Sequence, residues 1–286
     1  MTQPYLGRRA RLATLLGPNA IAIQPTAPMR SRNGDNEHPY RFDSSFYHLT
    51  GFAEPAAWLF IETDAACKPT VTMLVQPKDE AMEIWNGHRL GADAAPAALG
   101  VDAAFANDEL DAVAKRLIAG KNCLWFPFHA NSGVYPGLPA QVHAWVDSVR
   151  NSERSGGLAP TEQRDLSALV DEMRVIKDAF EAQLMRRAGD IGAAGHVRAM
   201  RTSAAHFRAA GANTAANTAA QTQPLREHHL EAELLHEFRN SGASGPAYSS
   251  IVAAGANACV LHYAAANTPI AATDLVLIDA GCEFEG

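Results

Sequence analysis

Apolar residues spaced along Tyr5 to Leu16 predict a short helix, and the run Ala20-Ile21-Ala22-Ile23 behind it predicts a strand. Three more short, nearly continuous apolar runs read as strands: Trp58 to Ile61, Val71 to Val75 and Cys123 to Phe126. Between the last two, Leu110 to Ile118 carries apolar residues at three- and four-residue intervals, and Leu138 to Val149 predicts a further helix. Strands that are apolar on both faces, alternating with helices, predict a sheet covered by helices, an α/β domain. Asn151 to Thr161, with Gly156-Gly157 and Pro160, reads as a linker. The expected domains are therefore 1–165 and 166–286.

Beyond that linker the texture changes. Asp178 caps a predicted helix running through Arg187 to about Met200, with Glu181 placed for a capping box. Ala209 to Gln223 is an Ala/Asn/Thr/Gln tract without apolar periodicity, ended by Pro224, and predicts a flexible loop. An amphipathic helix follows from Glu227 to Asn240, stopped by Gly242. Three strand-like runs close the chain: Tyr248 to Ala253, Cys259 to Tyr263 and Leu275 to Asp279. The last is apolar enough to be buried, yet the chain stops at Gly286, within a hairpin-like pattern. A buried strand needs hydrogen-bonding neighbours on both sides, so truncation is the expectation. The same reasoning predicts an aggregation-prone edge at Leu275 to Asp279.

Composition narrows the function classes. A hydrophobic fraction of 47% and a charged fraction of 19% describe an ordinary soluble globular chain. The net charge of -7, without any basic run, argues against nucleic acid as the main partner. No run approaches the roughly 20 apolar residues needed to cross a bilayer, and no signal-peptide pattern follows the N-terminal arginines, so the cytoplasm is expected and no membrane partner. Cys67, Cys123, Cys259 and Cys282 have no CxxC spacing, and three of them read as small buried hydrophobes.

Candidate chemistry concentrates near the C-terminus. Asp279 ends an apolar strand and is followed by Ala280-Gly281, so it either holds a hard cation at the strand mouth or begins a turn. His262, in Val260-Leu261-His262-Tyr263, is either an oxyanion donor facing the same pocket or a structural histidine. His229, Glu233 and His236 share a helical face, but Leu230 stands where HExxH needs glutamate. A solvated face crossed by Leu230, Leu234, Leu235 and Phe238 explains that cluster without zinc. No GxSxG elbow, GxGxxG loop or GxxxxGK[ST] loop occurs.

Several ordered motifs together resemble the Xaa-Pro aminopeptidase (aminopeptidase P) family of "pita-bread" metallopeptidases. They are YRFDSSFYHLTGFAEP at Tyr40 to Pro55, EIWNGHRLGADAAPAALGV at Glu83 to Val101, EMRVIK at Glu172 to Lys177 and RRAGDI at Arg186 to Ile191. YSSIVAAGANACVLHY at Tyr248 to Tyr263 and DLVLIDAGCEFEG at Asp274 to Gly286 complete the set. The resemblance implies an aminopeptidase P-type α/β domain followed by the first part of a pita-bread α+β catalytic domain. It implies removal of the N-terminal residue from peptides with proline second, by two divalent cations, usually manganese. It assigns Asp279 as the first metal ligand, His262 to the substrate and its tetrahedral intermediate, and Tyr248 to the neighbourhood of the metals. Trp85 matches an aromatic residue that reaches a neighbouring subunit's substrate site, which implies a functional homo-oligomer. The family's remaining ligands have no counterpart up to Gly286, so the chain as given is expected to hold no dinuclear centre and to lack peptidase activity. A prolidase-type dipeptidase and a non-catalytic homologue or oligomerisation module are the alternatives.

Overall fold

The computed structural model describes residues 3–128, 135, 137–152, 154, 157–213 and 223–286. They form two compact units, Met1–Ile176 and Lys177–Gly286.

The first unit runs α1 (Gln3–Leu16), β1 (Ala20–Pro25), β2 (Ser31–Asn33), β3 (Asn36–Glu37), α2 (Ser44–Thr50), β4 (Trp58–Thr63) and β5 (Pro69–Val75). It continues through α3 (Glu80–Asn86), α4 (Ala95–Leu99), β6 (Ala103–Ala106), α5 (Leu110–Ile118), β7 (Cys123–Phe126), α6 (Leu138–Asn151), β8 (Glu162–Asp165) and α7 (Leu166–Val175). Six strands form one mixed sheet in the order β6-β5-β4-β1-β7-β8. The apolar runs are nearly continuous because both faces are covered. Ala22, Leu59, Ile61, Met73 and Trp125 pack with α1, α2 and α7 on one side. Ile21, Ile23, Phe60, Leu74 and Leu124 pack with α5 and α6 on the other. Alternating side chains thus feed two separate cores, as the strand period requires.

The segment expected to link two domains instead joins α6 to β8, which pairs in parallel with β7. The two units divide after Ile176, not at residue 165. The cause is α7: Leu166, Val170 and Met173 lie in the first unit's core. Strand β8, Glu-Gln-Arg-Asp, is largely exposed, a charged edge that discourages further pairing and gives no hydrophobic signal.

The second unit comprises α8 (Ala179–Asn213), α9 (Glu227–Asn240), β9 (Gly245–Pro246), β10 (Ile251–Ala254), β11 (Val276–Asp279) and β12 (Cys282–Glu283). The capping box at the start of α8 forms as expected. The Asp178 carboxylate accepts from the Glu181 amide at 2.8 Å, and the Asp178 amide donates to the Glu181 carboxylate at 2.9 Å. The helix passes Met200 and ends at Asn213, because the stretch beyond Met200 is rich in alanine, the best helix former. Residues 214–222 of the expected loop lie outside the described residues.

Helices α8 and α9 pack through a core of Ile191, Ala199, Leu230, Leu234 and Phe238. Gly195 permits the approach, since a β-carbon there would come within 2.8 Å of the Phe238 ring. The acids of the histidine-rich face are engaged elsewhere: Arg198 pairs with Glu233 and, at 3.6 Å, with Glu237. Of the cysteines, Cys123 and Cys282 are buried, Cys67 is half-buried and Cys259 is exposed. Two rather than three therefore serve as buried hydrophobes.

Candidate functional site

The chemistry-bearing residues of the second unit cluster around two short antiparallel ladders. Strand β10 pairs with β11, setting Ile251 opposite Asp279 and Ala254 opposite Val276. Strand β9 pairs with β12, setting Pro246 opposite Cys282, and the Ala247 amide donates to the Gly281 carbonyl at 2.9 Å. Between these pairings Tyr248, Ser249 and Ser250 stand opposite the single residue Ala280. Such an excess of residues on one strand bends it and re-aims its side chains. Here it turns the Tyr248 phenol onto Asp279, where its O–H donates to Oδ1 at 2.6 Å. The ring lies over Gly281, where a β-carbon would sit in van der Waals contact 3.4 Å from Tyr248 Cε1. That hydrogen bond, with burial and the carboxylate's charge, raises the phenol pKa, so Tyr248 keeps its proton and acts as a donor.

Strand β11 is not buried as expected. Val276 and Ile278 are half-buried toward the core, while Leu277 and Asp279 face outward. Leu275 precedes the strand and is 86% exposed. With β10 as its pairing neighbour, β11 alternates in the manner of an edge strand.

His262 departs further from expectation. Residues Gly255–Cys259 form a 3-10 turn and 260–263 continue as irregular chain, so the predicted strand at Cys259 to Tyr263 does not form. The Asn-Ala-Cys stretch closes a turn, and Val260 and Leu261, at 52% and 88% exposure, have no apolar layer to pack on. His262 is exposed, and no hydrogen bond joins it to Asp279 or Tyr248. The structure thus brings Tyr248 and Asp279 together and leaves the imidazole on a separate turn. Trp85 lies in the first unit on α3, 82% exposed beside the equally exposed Ile84.

The first unit holds a cleft of about 580 Å³ where β1 and β7 end, lined in part by Arg30, Tyr40, Arg41, Asp43, Asp171 and Arg174. Three of these, Tyr40, Arg41 and Asp43, serve the scaffold. Asp43 caps α2 at the Phe46 amide, 2.8 Å, and accepts from Gln24 at 3.1 Å. The Tyr40 hydroxyl bonds Thr26 at 2.9 Å, and Arg41 Nη1 donates to the Phe42 carbonyl at 2.6 Å.

One buried carboxylate carries no mark in the sequence. Glu227 was visible only as the start of a helix, yet it is fully buried and hydrogen-bonded to the segment carrying His262. A glutamate at a helix start is ordinary in sequence, and only the return of a distant loop distinguishes this one.

Comparison with known proteins agrees with this architecture. Residues 5–125 match the model of the aminopeptidase P N-terminal domain, and residues 183–286 match metallopeptidase family M24. The chain is 37% identical to the Xaa-Pro aminopeptidase of Escherichia coli over 99% of its own length and 59% of that protein. It is 36% identical to the Xaa-Pro aminopeptidase of Haemophilus influenzae, covering 97% of this chain and 56% of the relative. The solved structure of Pseudomonas aeruginosa aminopeptidase PepP superposes with a TM-score of 0.87 at 38% identity, over 100% of this chain and 59% of that one. The chain thus spans less than two thirds of the length of these relatives. With an aminopeptidase P-type α/β domain followed by part of an M24 domain, the chain belongs with the aminopeptidase P proteins of metallopeptidase family M24.

Proposed function

We propose that this chain is part of a Xaa-Pro aminopeptidase, a hydrolase that removes the N-terminal residue from peptides with proline in second position. The observation that carries the reading is the Tyr248–Asp279 pair, set by a strand irregularity at the mouth of β11 in a chain whose relatives bear that activity. Asp279 is the first ligand of a pair of divalent cations, manganese in this reading, and Tyr248 holds its carboxylate in one orientation. His262 offers an imidazole N–H to the substrate's developing oxyanion. Trp85, exposed on its short helix, serves the substrate site of a neighbouring copy in a homo-oligomer. The cytoplasm is the proposed compartment; no described helix is long and apolar enough to cross a membrane.

The residues present do not fit two cations. Each hard cation takes about six oxygen-rich ligands. Among the described residues no group of three or more His, Cys, Asp or Glu converges. Asp279 is one carboxylate with one oxygen already bonded to Tyr248. What these residues do by themselves is orient: the phenol fixes Asp279, and the turn after residue 259 presents the imidazole to solvent.

Metal analysis of the purified chain, beside an assay with a Xaa-Pro peptide, tests the first consequence. Neither stoichiometric manganese nor turnover is expected; finding both refutes the incomplete donor set. The activity itself is tested on the coding sequence read past Gly286. Metal-dependent release of the residue before proline, abolished by Asp279→Asn, supports the assignment. A stop codon at that point, or turnover indifferent to Asp279, favours a non-catalytic module instead.

A further inference from the structure

Glu227 opens α9 with its side chain wholly buried. Four donors converge on its carboxylate. Oε1 accepts from the Ala254 amide at 2.8 Å and from Asn257 Nδ2 at 3.0 Å. Oε2 accepts from the Tyr263 hydroxyl at 2.8 Å and from the Ala266 amide at 3.3 Å. Asn257 also donates to the Tyr263 hydroxyl at 2.9 Å, closing a triangle of side chains. The backbone reinforces it: the amides of Glu227 and His228 donate to the carbonyls of Thr268 and Ala266 at 3.2 and 3.3 Å.

These donors come from the end of β10, the 3-10 turn, the residue after His262 and the returning chain. One carboxylate therefore ties down every leg of the segment between Ala254 and Thr268. Apolar burial cannot do that work here. Val260 and Leu261 project into solvent, and Ala265 alone of the segment's hydrophobic residues between the 3-10 turn and Ile270 packs against the unit's core, partly buried. Loops that lack packed side chains owe their order to hydrogen bonds.

We infer that Glu227 is the positioning residue for His262, its carboxylate fixing through Tyr263 and Asn257 the turn that presents the imidazole. The inference rests on the reading of His262 as the substrate-facing group. Charge supports it. Burial works to raise the Glu227 pKa, yet the bonds from Asn257, Ala254, Tyr263 and Ala266 outweigh it and hold the carboxyl below its ordinary range. The site at the N-terminus of a 14-residue helix also favours the anion.

The test uses this chain and two substitutions. Glu227→Gln puts an amide N–H₂ where a second acceptor oxygen stood, so it cannot serve all four donors. Tyr263→Phe removes one donor and keeps the ring. The readouts are amide hydrogen exchange across residues 255–266 and the His262 ring signals in NMR, assigned by their loss in His262→Ala. Glu227→Gln is expected to speed exchange across 255–266 at least tenfold and move the His262 signals toward free-peptide positions. Exchange in β1 and β7 should be unchanged. Tyr263→Phe shifts both readouts the same way by a smaller amount, and it decides the matter if Glu227→Gln fails to fold. Unchanged exchange and His262 signals in the folded variants overturn the inference. The underlying reading is tested separately on the protein read past Gly286: His262→Ala that leaves kcat for a Xaa-Pro peptide unchanged sinks the peptide-site role while the positioning result stands.

Discussion

Arg9 stands on α1 with 1% of its surface exposed, and its guanidinium joins the ends of two other helices. Nη1 donates to the Leu49 carbonyl at 3.0 Å, in the last turn of α2. Nη2 donates to the carbonyls of Leu99 and Gly100 at 2.9 and 2.7 Å, at the end of α4. A cation there faces the carbonyl ends of two helices, and the nearby charge of Asp102 offsets part of the desolvation that lowers its pKa. Arg9→Met keeps the volume and deletes all three bonds. Each carbonyl that loses its partner while staying away from water costs about 1–3 kcal/mol. Relief of the guanidinium's own desolvation, with Nε unpartnered among the described residues, puts the three carbonyls at the low end of that range, a net loss of about 3 kcal/mol. The measurement can be confined to this unit, since Trp58, Trp85, Trp125 and Trp145 account for all 4 tryptophans and precede the division after Ile176. Urea unfolding followed by tryptophan fluorescence should show the midpoint falling by about 1.5 M at a slope of about 2 kcal/mol/M. Arg9→Lys, a point charge without the fork, should lose about half as much. A midpoint shift under about 0.3 M for Arg9→Met, with the slope unchanged, would refute the idea that this cation clasps the two helices.

Gly195→Ala places a methyl within 2.8 Å of the Phe238 ring, so the second unit should lose about 1–3 kcal/mol, read by circular dichroism on heating, and Phe238→Leu should recover part of it; an additive double mutant contradicts the close approach. The depressed Glu227 pKa makes its contribution present above the ordinary glutamate range and lost as pH falls through the lowered value, so the second unit should weaken on acidification across that window. Arg226, His228, His229, Tyr263 and Asp274 flank this corner and remain after substitution, so Glu227→Gln should remove the Glu227 part of the slope, and an unchanged acid profile would count against the network.

How much was legible follows from the kind of signal each element carries. Strands β1, β4, β5 and β7 were readable because they are covered on both faces, which writes burial directly into the sequence as apolar runs. The capping box at Asp178 and Glu181 was readable because its partners are three residues apart. Charged β8 has no such mark: its pairing with β7 is a backbone event. The Cys259 to Tyr263 segment misled because apolar composition alone does not say whether a partner strand exists, and here none pairs with it among the described residues.

The sequence by itself determined the covered strands β1, β4, β5 and β7, the main helices and Asp279 as the acid ending an apolar run, since these depend on neighbours within a few positions. Tertiary structure alone decided that α7 belongs to the first unit, that Tyr248 rather than His262 meets Asp279, and that Glu227 anchors a loop up to 39 residues away. Those outcomes rest on which distant donors and apolar faces converge, a property of the folded chain that no local pattern encodes.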